Sequence, residues 1–437
     1  MMGDAVLLML PALILLIIVG FPIAFSMMLV ALGFGLYRFG DILVLQFAQR
    51  VHEVASNYVL GAIPLFIFMG AVLERAGIAE RLFDALYMWT RRLPGGLAIA
   101  ALMMCTIFAA ASGVVGATET LVGMLAIPGM LKRGYNNSLI AGTICSGGSL
   151  GTVIPPSIPV VVLAPIVTLP VGDLLAGILV PGLMMAGMFM LYIVIACTLK
   201  PDLAPADPEP DPRTLGQKLG FTAFALVPPA FLIATVLGTL FTGLATPTEA
   251  AACGSFGVVL LAIFYGRFSL KLIFDASIQT VSLTAMILAI VLAGSMFSGV
   301  FFASGGMTAV KGMLDAFGLE AWSVIAVILL ITFILGFAVD LISIVLIMMT
   351  ISAPIIRTYG IDPLWFSIVF LVTLQTSYLT PPMAPSIFYL RAIAPPEMKL
   401  KQMYWGVIPF ICCQLVVLGL LLLFPALATW MPKVIYG

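Results

Sequence analysis

Charged side chains are scarce in this sequence. Only 9% of its 437 residues are Asp, Glu, Lys or Arg, whereas 62% are apolar. Soluble domains carry about 25% charged residues, and a chain this poor in charge cannot cover its surface with groups that face water. The composition therefore excludes a soluble enzyme and predicts a protein whose surroundings are lipid.

Other shortages exclude further classes of protein. Nineteen basic and nineteen acidic residues leave no net charge, so no nucleic-acid partner is expected. The one histidine, His52, falls in a segment predicted to be an outer loop, and the six cysteines lie in apolar runs without metal-ligand spacing. Walker A and H-E-x-x-H motifs are lacking, so ATP-driven pumping and zinc proteolysis have no support, and no cofactor is expected.

Long apolar runs fill most of the chain, and each run of about 20 residues predicts a membrane helix. Residues 95–131 form an apolar segment interrupted by small residues, and we predict a re-entrant hairpin there and another at 321–356. Segments 138–165 and 364–394 each contain a double proline, which predicts a broken helix. Residues 200–218 are rich in Pro and Asp and predict an aqueous linker between the halves.

The second half of the sequence repeats the first. Five residues recur at a constant separation of 226 positions (354 − 128, for example): Pro128, Gly134, Pro155, Pro156 and Pro159 return as Pro354, Gly360, Pro381, Pro382 and Pro385. We predict an all-α integral membrane protein of two inverted repeats, residues 1–199 and 219–437. Each repeat has about five transmembrane helices and one hairpin, and the odd number of crossings inverts the second repeat.

The distribution of basic residues predicts the orientation. If the base of the first hairpin is cytoplasmic, fourteen of the 19 Lys and Arg residues fall on cytoplasmic segments and five fall outside. Cytoplasmic loops of membrane proteins carry such an excess of Lys and Arg. We therefore expect both termini to face outward and the linker at 200–218 to be cytoplasmic.

Paired broken helices in inverted repeats are typical of secondary transporters that bind substrate near the membrane midplane. Free N–H groups at a break attract a carboxylate, and free carbonyls can hold a cation such as sodium. We expect one cation site per repeat, built from a hairpin tip and the adjacent broken helix. The candidate sodium- and substrate-binding residues are Ser112, Gly113, Ser146, Ser149, Gly336, Asp340, Thr373, Thr376 and Thr380, beside the helix breaks at Pro155, Pro156, Pro381 and Pro382.

Simple helix packing competes with binding as an explanation of these residues, since small and hydroxyl side chains let membrane helices approach closely. Asp340 differs because a carboxylate at membrane depth costs roughly 2.5–3.5 kcal/mol and therefore needs a function or a partner. The sequence leaves open whether Glu119 or Arg391 contacts the substrate. Residues 147–151 match G-x-S-x-G, so an intramembrane enzyme using Ser149 or Asp340 is the alternative from a different class.

Five stretches spread over almost the whole chain are characteristic: residues 63–86, 91–100, 151–159, 245–252 (ATPTEAAA) and 379–390 (LTPPMAPSIFYL). In them the chain resembles the large membrane subunit of the tripartite ATP-independent periplasmic (TRAP) transporters. The resemblance implies sodium-driven uptake of a small organic anion, a carboxylate with 2-keto acids as one candidate class, by an elevator motion in a bacterial inner membrane. It places sodium sites at Ser112, Gly113, Gly336, Asp340, Thr373, Thr376 and Thr380.

The resemblance also implies partners. A periplasmic substrate-binding protein would deliver the anion, and a small four-helix membrane subunit would be a separate chain, because the sequence has no helices to spare for it. A self-sufficient sodium/carboxylate symporter of the same architecture, working without a binding protein, is the alternative that the sequence leaves open.

Overall fold

The computed structural model describes residues 4–113, 116–205, 213–318, 320–337, 339–381 and 384–437. In these ranges every regular element is a helix, and seven of the helices are long and apolar enough to cross a membrane. Several shorter apolar helices accompany them. The prediction of an all-α membrane protein is confirmed.

The first half of the chain forms eleven of the described helices, joined by short turns. They are α1 (Asp4–Leu7), α2 (Met9–Val19), α3 (Ile23–Phe39), α4 (Ile42–Ala55), α5 (Ala62–Arg75), α6 (Ile78–Thr90), α7 (Gly96–Ser112), α8 (Ala117–Lys132), α9 (Asn137–Ser149), α10 (Ile158–Val167) and α11 (Val171–Leu199). The first predicted hairpin is α7 with α8, and the first broken helix is α9 with α10.

The second half supplies ten more. They are α12 (Leu215–Phe241), α13 (Pro247–Phe264), α14 (Leu270–Ala303), α15 (Gly306–Ala316), α16 (Ala321–Leu335), α17 (Leu341–Thr358), α18 (Pro363–Leu379), α19 (Pro385–Ile393), α20 (Leu400–Leu423) and α21 (Ala426–Tyr436). Here α16 with α17 is the second hairpin, and α18 with α19 is the second broken helix.

The internal repeat is visible in the order and packing of the helices. From α3 to α11, the starts of equivalent helices in the two halves are separated by 224 to 229 positions (247 − 23 for α3 and α13, 400 − 171 for α11 and α20). Contacts between the halves are reciprocal, because α9 packs on α20 and α18 on α11, while α10 packs on α17 and α19 on α8. Such exchanged contacts are those of two units related by a two-fold axis.

Two equivalent residues meet where the halves touch. Gln375 lies 226 positions after Ser149 (375 − 149), and its Nε2 donates a hydrogen bond of 3.2 Å to the Ser149 Oγ. Both side chains are buried. The contact of a residue with its own repeat counterpart places this pair beside the two-fold axis.

The halves differ where the first half contains α4. In the second half a single helix of 34 residues, α14, occupies the place of both α4 and α5. The prediction missed α4 and put His52 in a loop, which is wrong because residues 42–55 are amphipathic and form a continuous helix. That helix ends before Asn57, whose side chain accepts a hydrogen bond from the Val59 N–H at 3.1 Å.

The predicted linker at 200–218 is shorter in the structure. Helix α12 starts at Leu215, inside the predicted linker, because Thr214 and Gln217 form a reciprocal capping box. Near the linker's other end, the Leu203 carbonyl accepts a hydrogen bond from the Asn136 N–H at 2.9 Å. Residues 206–212, which carry most of the Pro/Asp run, lie outside the described ranges, and the domain boundaries at 199 and 219 stay predictions.

Candidate functional site

A cavity of about 470 Å³ lies where the two hairpins and the two broken helices meet. The first half contributes the hairpin tip at Gly113 and the start of α10, and the second half contributes the tip around Asp340 and parts of α18 and α19. Helices α5 and α14 form the opposite wall through Ile67 and residues 283–287. The volume suits a small molecule, because ligand pockets measure about 300–1,000 Å³.

Three helix N-termini border this cavity. Helix α10 starts beside Ile158, α19 starts at Pro385 and α17 starts just after Asp340, and all three residues line the cavity. Proline has no backbone N–H to donate, so a double proline ends the first helix of each broken pair. Proline fits the first turn of a helix, so the second helix can restart just after the break. The first N–H groups of a helix lack intrahelical partners and attract anions. Backbone N–H groups of the kind that attract anions therefore border the cavity, and those of α17 are already capped by Asp340.

Asp340 is the N-cap residue of α17 and borders the cavity. Its carboxylate accepts hydrogen bonds from the Ile342 N–H (3.1 Å), from the Ser343 N–H (3.2 Å) and from the Ser343 hydroxyl. Its side chain nevertheless stays exposed to the cavity. Capping of α17 thus explains part of the role of Asp340. The part of its carboxylate that faces the cavity stays accessible to a cation or a substrate.

The two predicted tip glycines pack against the broken helices. Gly113 lines the cavity with a φ of +60°, and a Cβ there would overlap the backbone carbonyl of Pro156. A Cβ at Gly336 would overlap the Ser377 side chain. Each hairpin tip thus touches the broken helix of its own half, and a cation site between them stays a prediction. Ser112 is the last residue of α7, and its side chain is outside the described part of the structure.

The five other candidate residues lie in the helices just before the breaks, behind the cavity wall. Four are buried and the fifth, Thr380, is half-buried, and each hydroxyl donates to a carbonyl of its own helix at 2.7–3.2 Å. They are Ser146, Ser149, Thr373, Thr376 and Thr380. None is among the described residues that line the cavity. The Ser149 Oγ also accepts the hydrogen bond from Gln375, and the role of all five as ligands stays a prediction.

The sequence left open whether Glu119 or Arg391 contacts the substrate, and in the structure both make hydrogen bonds within the protein. Glu119 is buried and its Oε1 accepts a hydrogen bond of 2.6 Å from the Ser386 hydroxyl, which joins α8 to α19. The missing side chain of Gly148 makes room for it, since a Cβ there would overlap the Glu119 Cγ. Arg391 donates to the Met398 carbonyl at 3.0 Å. Neither residue is among the described residues of the cavity lining.

Sequence reasoning missed two tyrosines. Tyr378 near the end of α18 and Tyr389 in α19 both line the cavity. The ring of Tyr389 lies over Gly116 in the first hairpin, where a Cβ would come within 2.9 Å of the ring. An aromatic residue in an apolar helix predicts packing, so only their closeness to Pro381 and Pro385 signals a site.

Comparisons with known proteins agree with this geometry. A sequence profile described as "Tripartite ATP-independent periplasmic transporter, DctM component" matches residues 10–427. The chain is 31% identical to the C4-dicarboxylate TRAP transporter large permease protein DctM of Pseudomonas aeruginosa, over 88% of this chain and 89% of that protein. It is 25% identical to the sialic acid TRAP transporter large permease protein SiaM of Vibrio cholerae, over 97% of each chain.

A solved structure has the same fold. The crystal structure of the YdaH transporter of Alcanivorax borkumensis superposes with a TM-score of 0.63, covering 91% of this chain and 90% of that chain. The two sequences are 17% identical, so the similarity concerns the fold.

Proposed function

Because this chain belongs to the DctM component family of the tripartite ATP-independent periplasmic transporters, we propose that it forms the membrane pathway for sodium-driven uptake of a small organic anion. In this proposal a periplasmic substrate-binding protein delivers the anion. A small four-helix membrane subunit, encoded as a separate chain, completes the complex. The chain is a transporter, and no catalytic residue is assigned to it.

The observation that carries the proposal is the meeting of both hairpin tips and both broken helices at one cavity. Irregular backbone at membrane depth is tolerated only where it is buried or lines a cavity. Here the helices that restart after the two breaks, at Ile158 and at Pro385, border the same space as Asp340. Uncapped helix N-termini on one side and a carboxylate on the other suit an anion that travels with a cation.

Sodium coupling is supported by the oxygen atoms beside the hairpin tips. Sodium in transporters is held by carboxylate oxygens and by carbonyls of unwound backbone. Asp340 offers the first, and the turns around Gly113 and Gly336 offer the second. Each net positive charge that moves inward across about 100 mV contributes roughly 2.3 kcal/mol, so two sodium ions per monovalent anion would gain from the voltage.

An elevator motion is supported by how the hairpins and broken helices hold together. Ser386 in α19 bonds to Glu119 in α8, and Arg357 in α17 donates to the Val167 carbonyl and to the Thr168 hydroxyl after α10. These contacts tie each hairpin to the broken helix of the other half. We propose that the four elements move as one body along the wall of α5 and α14.

The orientation belongs to the same proposal. The excess of Lys and Arg on one side puts the linker in the cytoplasm and both termini in the periplasm of a bacterial inner membrane. Tagging the two termini and testing their access to a membrane-impermeant reagent in intact spheroplasts would check it. Protection of both termini would contradict it.

The test of function is uptake of radiolabelled organic acids into proteoliposomes that contain this chain and its small subunit. The assay is run with and without the binding protein, and with an inward sodium gradient or an equal potassium gradient. We expect uptake that needs both sodium and the binding protein. Sodium-driven uptake without the binding protein would favour a self-sufficient symporter, and uptake that ignores sodium would contradict the coupling.

A further inference from the structure

The cavity contains very little charge. Asp340 is the one charged side chain among its described lining residues. Among the described lining residues there is no Lys or Arg to balance a transported anion, so the helix N-termini must do so beside any coupled cation.

The helix N-termini set how much negative charge the cavity can balance. A helix N-terminus acts as roughly half a positive elementary charge. The N-terminus of α17 already faces the carboxylate of Asp340, which caps it. The N-termini of α10 and α19 have no capping side chain among the described residues, and together they amount to about one positive charge. This arrangement matches one carboxylate.

The rest of the lining is apolar. It comes from both hairpins, both broken helices and the opposite wall, and consists mainly of Ile67, Ile158, Leu283, Met286, Ile287, Phe337 and Phe388. Desolvating a second carboxylate against such side chains, without a partner, is costly. An apolar substituent of the substrate would instead gain from burial.

Two phenol hydroxyls are available to orient the anion. Tyr378 is 8% exposed and Tyr389 is 46% exposed, and both line the cavity. Neither hydroxyl has a hydrogen-bond partner among the described residues. A buried phenol hydroxyl normally finds a partner, and it donates well to a carboxylate. A ligand carboxylate is a partner of the required kind.

On the basis of the proposed function, we infer that the transported anion is a monocarboxylate with an apolar body and that Tyr378 and Tyr389 position its carboxylate. The carboxylate lies near the starts of α10 and α19 and accepts hydrogen bonds from the two hydroxyls. The apolar body lies against α5, α14 and Phe388. Dicarboxylates are disfavoured because the described lining holds no Lys or Arg for their second charge, and a sodium ion at Asp340 would balance only the charge of Asp340 itself.

The test measures binding to the purified complex of the full chain with its small subunit. Isothermal titration compares sodium 4-methyl-2-oxopentanoate, a monocarboxylate with a branched apolar body, with sodium succinate at equal sodium concentration. We expect the Kd of the monocarboxylate to be at least about ten-fold lower. Tyr378→Phe and Tyr389→Phe should each raise that Kd about ten-fold, since a hydrogen bond to a charged group is lost.

A matched control uses a tyrosine away from the cavity. Tyr37→Phe, at a position 83% exposed on α3, should leave the Kd unchanged. Thermal unfolding without ligand shows whether each variant is folded. A simple packing role predicts unchanged Kd in both cavity variants, and that result would overturn the assignment of the tyrosines.

The outcomes separate this inference from the proposed function. Equal or tighter binding of succinate, or no binding of the monocarboxylate, overturns the inference. If the same complex still takes up succinate with sodium, the proposed function stands. If no organic acid is taken up by the complete complex, the proposed function itself fails.

Discussion

The two broken helices share a backbone design and differ in side-chain chemistry. Each runs into the membrane, breaks at a double proline and restarts beside the same cavity. In the first half, the Thr152 hydroxyl donates to the Ser149 carbonyl at 2.9 Å. Its counterpart 226 positions later (378 − 152) is Tyr378, which lines the cavity. Likewise Tyr389 takes the place of Leu163 (389 − 163).

The hairpins show the same asymmetry. Position 114, the counterpart of Asp340 (340 − 114), is valine. Ser386, which bonds to Glu119, replaces Val160 (386 − 160). A duplicated fold thus supplies the cavity and its helix N-termini from both halves, while most polar side chains at the cavity come from the second half. Substitutions in matched positions can test this division.

The largest expected effect is that of Asp340→Asn. It removes the cavity's one described charge while keeping an oxygen that can cap α17, so uptake should fall roughly ten- to a hundred-fold, as expected for loss of a charged interaction. Initial uptake rates in proteoliposomes measure it. Asp362→Asn is the control, since Asp362 caps α18 through the Leu364 and Trp365 N–H groups and is not among the described lining residues. If uptake by the Asp340→Asn variant stays within two-fold of wild type, the claim that the second half supplies the functional polar side chains is contradicted.

The hairpin tips should differ in their tolerance of alanine. Gly113→Ala forces a side chain onto a residue with φ of +60° and against a backbone carbonyl, so it should destabilise the protein by about 1–3 kcal/mol. Gly336 has a helical φ of −61°, so alanine there adds no backbone strain, although its Cβ would overlap the Cβ and Oγ of Ser377 and the two helices would have to shift apart. Gly336→Ala should therefore cost less than Gly113→Ala by about 1 kcal/mol, the backbone strain that only position 113 adds. Thermal unfolding of the purified variants compares them, and the reverse order would contradict this account of the tips.

The contact between α8 and α19 should depend on the Ser386 hydroxyl. Ser386→Ala leaves the buried Glu119 carboxyl without its described donor and should cost about 1–3 kcal/mol. In the double variant Ser386→Ala with Glu119→Met, much of that loss should be recovered, because no buried polar group is then left unpaired. A double variant less stable than Ser386→Ala would show that the lost hydrogen bond to Glu119 is not the main cause of the destabilisation.

The smallest effect is expected at the contact near the two-fold axis. Ser149→Ala removes one neutral hydrogen bond to Gln375, worth about 1 kcal/mol, and leaves the cavity lining unchanged. Transport should be retained. Complete loss of transport in a folded Ser149→Ala variant would revive a direct role for this serine, including the nucleophile role that G-x-S-x-G suggests.

Much of the fold was predictable because proline and hydropathy report directly on membrane helices. The separation of 226 positions that Pro155 and Pro381 share with four further residue pairs revealed the repeat, and the structure has α9 and α10 on the two sides of the first break and α18 and α19 on the two sides of the second. Helix α4 was missed because an amphipathic helix lacks the long apolar run that indicates a membrane span.

The site was only partly predictable because a cavity is formed by residues far apart in the sequence. Gly113 and Asp340 could be singled out, since one sits at a hairpin turn and the other is a costly charge in lipid. The serines and threonines before the breaks attract attention for their polarity, yet their hydroxyls donate to their own helices. Nothing local separates Tyr378 and Tyr389 from packing aromatics until the cavity is seen.

Substrate protection of a cysteine in the cavity tests most directly whether this shared cavity carries the anion. Phe388→Cys, at a lining position 58% exposed, is labelled with a hydrophilic maleimide after the exposed Cys253 and Cys412 are replaced by alanine. Leu244→Cys, 81% exposed and not among the described lining residues, is the control. The account predicts that sodium together with a transported anion slows labelling at 388 and leaves labelling at 244 unchanged. Equal labelling at 388 with and without the anion, in a preparation that transports it, would contradict the account.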